Sequence, residues 1–61
     1  MLDYEVYFLS EAHHFRDVEF LTEIDDSAAI AMSRRLFATR IDCAGFEVWE
    51  GERFLALEVR P

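Results

Sequence analysis

The sequence predicts a single α+β domain with the element order ββαββ, in which one helix covers one face of a four-stranded sheet. Three observations predict it: two alternating apolar stretches near the N-terminus, a helical stripe that follows an acidic cap, and a glycine-centred hairpin near the C-terminus. The 61 residues suffice for one domain spanning 1–61. If both hairpins form, only the strand order 2-1-3-4 makes every neighbouring pair antiparallel, so we expect a mainly antiparallel sheet in that order.

Residues 2–9 and 15–24 are each predicted to form a strand, and the segment from Ser10 to His14 connects them. Alternation places Leu2, Tyr4, Val6 and Phe8 on one side of the first strand, and Val18, Phe20, Thr22 and Ile24 on one side of the second. Pairing Phe8 with Val18 brings both apolar sets to the helix-covered face.

Asp25-Asp26-Ser27 is typical of a helix start, because its side chains can accept hydrogen bonds from first-turn N–H groups and its carboxylates favour the positive end of the helix dipole. The helix is expected to run to about Arg40. Its apolar stripe at helical spacing contains Ala29, Ile30, Ser33, Leu36 and Phe37.

The C-terminal hairpin is expected to turn at Gly51-Glu52, where a leading glycine suits a type II′ turn. The two-residue turn then places Trp49 opposite Phe54 and Phe46 opposite Leu57. One face of this hairpin contains Phe46, Val48, Leu55, Leu57 and Val59, and the other contains Glu47, Trp49, Phe54 and Glu58. The predicted core of the whole domain consists of Val6, Phe8, Phe20, Ile30, Leu36, Phe37, Phe46, Val48, Leu55 and Leu57.

Charge and composition narrow the possible partners. The net charge is −7 and there is no lysine, which argues against direct nucleic-acid binding because phosphate contacts dominate such affinity. No apolar run approaches the ~20 residues that span a bilayer, and the N-terminus lacks the basic start of a signal peptide. A single cysteine, Cys43, fits a reducing compartment, so a cytoplasmic protein without membrane association is expected.

No residue pattern indicates catalysis, so we expect a non-enzymatic protein without a cofactor or a metal. Cys43 follows the negative end of the helix and adjoins Asp42, and both features raise a thiol pKa. Neither a nucleophile motif nor a glycine-rich phosphate loop is present, and the only proline is Pro61. His13-His14 is expected at a polar hairpin tip, although two such tips in a symmetric dimer could meet around a metal.

The open face, defined as the face of the sheet that the helix does not cover, is the predicted interaction surface. The registers above give it seven carboxylates, Asp3, Glu5, Asp17, Glu19, Glu23, Glu47 and Glu58, among several apolar side chains. The predicted interface residues are Tyr7, Leu9, Leu21, Trp49, Phe54, Glu5, Glu19 and Glu47. Exposed aromatic residues supply contact area and carboxylates steer cationic partners, although a merely solvated face is the simpler interpretation.

The sequence therefore favours a small acidic protein-interaction domain that forms a homodimer through the open face. The alternative partner is a basic protein, with the chain acting as an inhibitor or DNA mimic that binds a basic nucleic-acid enzyme.

Two stretches, Asp25-Asp26-Ser27-Ala28-Ala29-Ile30 and Phe46 to Arg53, carry a resemblance. They resemble short uncharacterised bacterial proteins with a strand hairpin, an acid-capped helix and an ending near EVW-x-G-x-R, a resemblance that implies the ββαββ fold and no activity. The segment from the helix through Phe46-Glu47-Val48 is also similar to dodecins, which are small flavin-binding oligomers, and implies flavin-like binding as a further alternative. Gly45 replaces the flavin-stacking tryptophan of that family, and the final hairpin is shorter than theirs.

Overall fold

The computed structural model of the protein describes every residue from Met1 to Pro61 and confirms the predicted ββαββ architecture. Strands β1 (Leu2–Leu9) and β2 (Phe15–Glu23) precede helix α1 (Asp26–Ala38), and strands β3 (Gly45–Glu50) and β4 (Arg53–Val59) follow it. All three strand pairs are antiparallel, and the sheet has the order β2-β1-β3-β4. The helix packs on one face of this sheet and leaves the other open.

The helix and the second hairpin begin where their sequence signals predict. Asp25 is the N-cap of α1, and its Oδ1 accepts a 2.8 Å hydrogen bond from the backbone N–H of Ala28. Gly51 has a φ of 58°, which fits the first turn position of a type II′ hairpin, and Glu50 pairs with Arg53 across the turn. Both predictions are confirmed.

The hydrophobic core lies between α1 and the two central strands. Its fully buried residues from the sheet are Tyr4, Val6 and Phe8 of β1 and Phe46 and Val48 of β3. Ala29 and Ser33 are the fully buried residues of the helix, and the Ser33 hydroxyl donates to the Ala29 carbonyl oxygen at 2.7 Å. Predicted core residues Ile30, Leu36, Phe37 and Leu55 are partly buried and pack against this cluster.

The predicted register between β1 and β2 is wrong by one residue. Phe8 pairs with Asp17, not with Val18, so alternate residues of β2 exchange faces. Val18 and Phe20 consequently lie on the open face, and Phe20 is 75% exposed instead of buried in the core. A β-bulge between Phe8 and Leu9 shifts the register again close to the hairpin loop.

The predicted face of β4 is wrong beyond a second β-bulge, which lies in the second hairpin. The pairing of Trp49 with Phe54 is as predicted, but the register then shifts and Val48 pairs with Ala56. Leu57 therefore pairs with Glu47 on the open face, where it is 50% exposed, and its predicted place in the core is wrong. Beyond the bulge, Glu58 moves to the helix side.

Arginines provide partners for the carboxylates that these shifts bring to the helix side. Arg40, directly after α1, contacts Asp17 and Glu19 at 2.7 Å each, and its guanidinium carbon lies 4.1 Å from the centroid of the Phe8 ring. Arg34 of α1 forms a bidentate pair with Glu58, in which Nη2 donates to Oε2 at 2.6 Å and Nε donates to Oε1 at 3.0 Å. The side of β2 that carries Asp17 and Glu19 thus faces the end of α1, where Arg40 provides a positive charge.

Candidate interaction surface

The open face is arranged as three rows of residues that run across the four strands. In the order β2, β1, β3, β4, the strand registers define an upper row of Phe20, Glu5, Trp49 and Phe54, a middle row of Val18, Tyr7, Glu47 and Leu57, and a lower row of Phe15, Leu9, Gly45 and Val59. Most of these positions are apolar or aromatic, and only two of the twelve are charged. The surface is therefore much less acidic than the sequence-based registers predict.

Large apolar side chains on this face are open to solvent. Phe15 and Phe20 of β2 are 61% and 75% exposed, and Phe54, Leu57 and Val59 of β4 are about half exposed. Taking ~200 Å² for a whole aromatic side chain, the exposed apolar area is roughly 500–700 Å². Monomeric soluble proteins seldom expose a larger continuous patch, and patches of this size are often functional.

The carboxylates of the open face number three, and two of them have hydrogen-bond partners within the chain. Trp49 Nε1–H donates to Glu47 Oε1 at 2.8 Å, and the Thr22 hydroxyl donates to Asp3 Oδ1 at 3.1 Å. Glu5 lies between Phe20 and Trp49 in the upper row and has no such partner.

Four carboxylates and one leucine that were predicted on the open face lie on the helix side instead. Asp17 and Glu19 bind Arg40, and Glu58 binds Arg34. Leu21 packs against the hydrophobic core, and Glu23 shares its side of β2 by alternation. Leu21 and Glu19 are thus removed from the predicted interface residues, because a one-residue shift of register reverses a whole strand.

The remaining predicted interface residues do lie on the open face. Glu5, Tyr7, Glu47, Trp49 and Phe54 occupy its upper and middle rows, and Leu9 occupies the lower row with only 2% exposure. The Tyr7 ring stacks on Phe15, with ring centroids 4.6 Å apart. Five further members of the surface were not among the predicted interface residues, namely Phe15, Val18, Phe20, Leu57 and Val59. For Val18, Phe20, Leu57 and Val59 the alternation was the available signal, but it was assigned to the wrong side.

No arginine adds positive charge to the open face. Each of the six lies on α1, follows it directly, or bonds to that part of the chain. Arg16 contacts Asp42 at 3.1 Å, and Arg60 donates to the carbonyl oxygens of Phe37, Arg40 and Cys43 at the end of the helix. The face is therefore apolar with a negative charge that only solvent and counterions balance.

The end of the sheet at which α1 begins is strongly acidic. Strand directions bring six carboxylates there, Asp3, Glu23, Asp25, Asp26, Glu50 and Glu52, against the single arginine Arg53. We call this region the acidic end. The opposite end of the sheet adjoins Arg16, Arg40 and Arg60.

A buried hydroxyl and an arginine organise part of the acidic end. Tyr4 O–H donates to Asp26 Oδ1 at 2.8 Å, and Arg53 donates two hydrogen bonds of 2.9 Å to the same carboxylate. The bonds from Arg53, followed by that from Tyr4, lower the pKa of Asp26 to about 2. Burial, followed by the bond to Asp26, raises the pKa of Tyr4 to about 12. The network joins β1, α1 and β4, so its first role is structural.

Of the residues that were considered for chemistry, His13 and Cys43 line the same cavity, and His14 does not. Cys43 is buried, and burial together with Asp42 raises the pKa of its thiol, which disfavours the reactive thiolate. His13 and His14 are exposed at the hairpin tip, and His13 adopts a φ of 63°. A cavity of about 460 Å³ lies between this tip and the chain end, lined by Glu11, His13, Asp42, Cys43 and Arg60 among others. No phenylalanine, tyrosine or tryptophan side chain lines it.

Comparison of the chain with protein-family models, with curated proteins and with solved structures gives no match. The structure contains no group of three or more His, Cys, Asp or Glu side chains placed to hold a metal ion. None of its helices is long and apolar enough to cross a membrane. The open face is consequently the feature on which a functional argument can be built.

Proposed function

We propose that the protein is a homodimeric interaction domain whose open sheet face packs on the open face of a second copy. The observation that carries this proposal is the exposure of five apolar side chains, Phe15, Phe20, Phe54, Leu57 and Val59, on one continuous face. The helix already covers the other face, so nothing within the chain can bury them.

The area of the face suits a second copy. Two faces of this size would bury roughly 1,000–1,400 Å² in total, which reaches the ~1,000 Å² expected of a specific interface. Two stacked sheets about 10 Å apart form a sandwich with side chains from both inner faces. Such a sandwich would also give the chain, in which 10 of 61 residues are buried, a second core.

The charge of the face also bears on self-association. Seven carboxylates on each face would oppose it strongly, whereas the structure places three there, Asp3, Glu5 and Glu47. Repulsion between exposed charges weakens as salt rises. The dimer should therefore tighten, or at least persist, when salt is added.

Sedimentation equilibrium over a range of concentrations, in low and in high salt, tests the proposal. The native chain should approach twice its mass of 7.2 kDa. Phe20→Glu should sediment as a monomer, because it places a fourth carboxylate on the open face, next to Glu5 in the upper row. Ile41→Glu is the matched control, since Ile41 is 91% exposed but lies in the segment after α1, away from the open face.

Two outcomes would overturn the proposal. One is a native chain that remains monomeric at the highest concentration in both salts. The other is a loss of the dimer in Ile41→Glu as large as that in Phe20→Glu, because the contact would then lie elsewhere.

The acidic end supports a second candidate, an inhibitor or DNA mimic that binds a basic protein. Its six carboxylates against one arginine would speed the approach of a cationic partner at low salt. Binding of polylysine that falls with salt and is weakened by Glu23→Gln with Glu52→Gln would support this candidate. The same variants should leave the homodimer unchanged, because neither residue belongs to the three rows of the open face.

A further inference from the structure

The centre of the open face is a square of four side chains in which acids and aromatics alternate. Glu5 pairs with Trp49 in the upper row, and Tyr7 pairs with Glu47 in the middle row. The two carboxylates therefore occupy diagonal corners, and the two aromatic rings occupy the others. Trp49 and Tyr7 each carry a hydrogen-bond donor, which can approach a carboxylate.

This arrangement is complementary to itself when two copies stack face to face. A two-fold axis between the sheets can run along the strands or across them, and either exchanges adjacent corners of the square. Each carboxylate then lies over an aromatic residue of the partner and never over a carboxylate. The twist of two stacked sheets rotates them by about 30°, but this displaces residues near the axis least.

The two axes produce different contacts. An axis along the strands places Glu5 over the partner's Trp49, and the two acidic ends come together. An axis across the strands places each strand over the same strand of the partner and exchanges the upper and middle rows. Glu5 then lies over the partner's Tyr7. The acidic end of one protomer then lies over the end of the other that adjoins Arg16, Arg40 and Arg60.

Charge and hydrogen bonding both favour the axis across the strands. It separates the two acidic ends, each with six carboxylates against one arginine, by the length of the sheet, which exceeds the Debye length of about 8–10 Å. It also joins the two groups of the square that lack a hydrogen bond within their own chain. Trp49 already donates to Glu47, whereas the Glu5 carboxylate and the Tyr7 hydroxyl have no partner.

We infer, on the basis of the proposed homodimer, that the second copy is related by the two-fold axis that lies between the two sheets and runs across the strands. In this dimer β1 lies over the partner's β1, and Tyr7 O–H donates to the Glu5 carboxylate of the partner subunit. The symmetry forms this hydrogen bond twice at the centre of the interface. The Tyr7 hydroxyl thereby provides a hydrogen-bond donor for the Glu5 carboxylate, which the apolar contact would otherwise bury without a partner. Burying an unpartnered charge is costly.

Cross-linking between single-cysteine variants distinguishes the two axes. Across the strands, Phe54 lies over the partner's Leu57; along the strands, Leu57 lies over the partner's Val18. A short bis-maleimide suits the experiment, because facing residues of stacked sheets are about 10 Å apart, beyond the reach of a disulfide. Cys43 is buried, and the native chain reports any background from it.

The expected result is a mixed cross-linked pair when Phe54→Cys and Leu57→Cys are combined, and little product when Val18→Cys and Leu57→Cys are combined. Mass spectrometry distinguishes cross-links between the two different variants from cross-links between two copies of the same variant. Sedimentation of each mixture verifies that it is dimeric. If instead the Val18→Cys mixture gives the dominant product, or a dimeric sample gives neither product, this geometry is wrong while the proposed homodimer stands. A monomeric native chain would refute the homodimer itself.

A double-mutant cycle tests the hydrogen bond independently. Tyr7→Phe and Glu5→Ala should each weaken the dimer by about tenfold or more, because a hydrogen bond to a charged group is lost. The two substitutions together should weaken the dimer scarcely more than the more damaging single substitution does. Independent effects that multiply in the double variant would show that the two side chains do not meet.

Discussion

Truncation of two neighbouring positions in the second hairpin tests the registers on which the open face depends. Val48 is fully buried opposite Ala56, whereas Leu57 is half exposed opposite Glu47. Val48→Ala and Leu57→Ala both shorten an aliphatic side chain within the same pair of strands. The structure nevertheless assigns them to opposite faces, so their effects on the free energy of unfolding should differ.

The magnitudes follow from burial. Val48→Ala removes two buried carbon groups, at about 0.8 kcal/mol each. The cavity left behind, of roughly 40–50 Å³ at about 24 cal/mol per Å³, brings the cost to about 2–3 kcal/mol. Leu57→Ala leaves a space that water fills and removes a side chain that is already half hydrated. Its cost should be about 1 kcal/mol or less. A 61-residue domain has about 3–9 kcal/mol of stability, so both variants should fold.

Urea unfolding at submicromolar protein concentration measures both costs, because association does not then contribute. The fluorescence of Trp49, the only tryptophan, reports the transition. The dependence of the free energy of unfolding on urea should be the same for both variants as for the native chain. A cost for Leu57→Ala of 2–5 kcal/mol, as expected for a fully buried leucine, would refute the bulged register. At high concentration, by contrast, Leu57→Ala should lose the extra stability that dimerisation gives the native chain.

Three further predictions concern the close backbone approach at Gly45 and the hydrogen-bond network of Asp26. Gly45→Ala should destabilise the fold by about 1–3 kcal/mol in urea unfolding, because a Cβ there would lie 2.5 Å from the Glu58 carbonyl oxygen; a neutral effect would contradict this close approach. Ionised Asp26 is favoured in the folded chain, so its stabilisation should be complete above about pH 4 and lost as the pH falls toward its pKa of about 2. Asp26→Asn should flatten this part of the stability profile, and an unchanged slope would argue against the assignment. Tyr4→Phe should raise the pKa of Asp26, as NMR titration would show, while the bonds from Arg53 keep it below its usual value; an unshifted pKa would exclude the hydrogen bond from Tyr4.

The elements of the fold could be predicted because their signals are local. An acidic cap determines where α1 begins, and a leading glycine determines the turn between Glu50 and Arg53. The strand order then followed from the requirement that each neighbouring pair be antiparallel. The central residues Val6, Phe8, Phe46 and Val48 were assigned to the correct side because β1 and β3 alternate without interruption between them.

The register of β2 could not be predicted, because both of its faces carry mixed signals. One face contains Val18 and Phe20, and apolar content alone assigns it to the core. The structure buries neither fully, and instead turns Asp17, Glu19 and Leu21 toward the helix. What decides between these arrangements is tertiary: Arg40, distant in sequence, reaches both carboxylates from the end of α1.

The bulge in β4 was invisible for a related reason. Leu55, Leu57 and Val59 alternate regularly, and a strand without a bulge would place all three in the core. One extra residue before Ala56 keeps Leu55 against the core and sends the other two to the open face. Glu58 then meets Arg34 on α1, a contact that the alternation of β4 alone does not indicate.

These two irregularities act on the same face, and together they change the physical argument for association. Each exchanges carboxylates for apolar side chains, β2 losing Asp17 and Glu19 and gaining Phe20, and β4 losing Glu58 and gaining Leu57. The displaced carboxylates are not left in water alone, because the arginines around the helix bind them. The chain thus uses its few cations to hold negative charge on the helix side. That separation allows a protein with a net charge of −7 to present an apolar surface on which a second copy can pack.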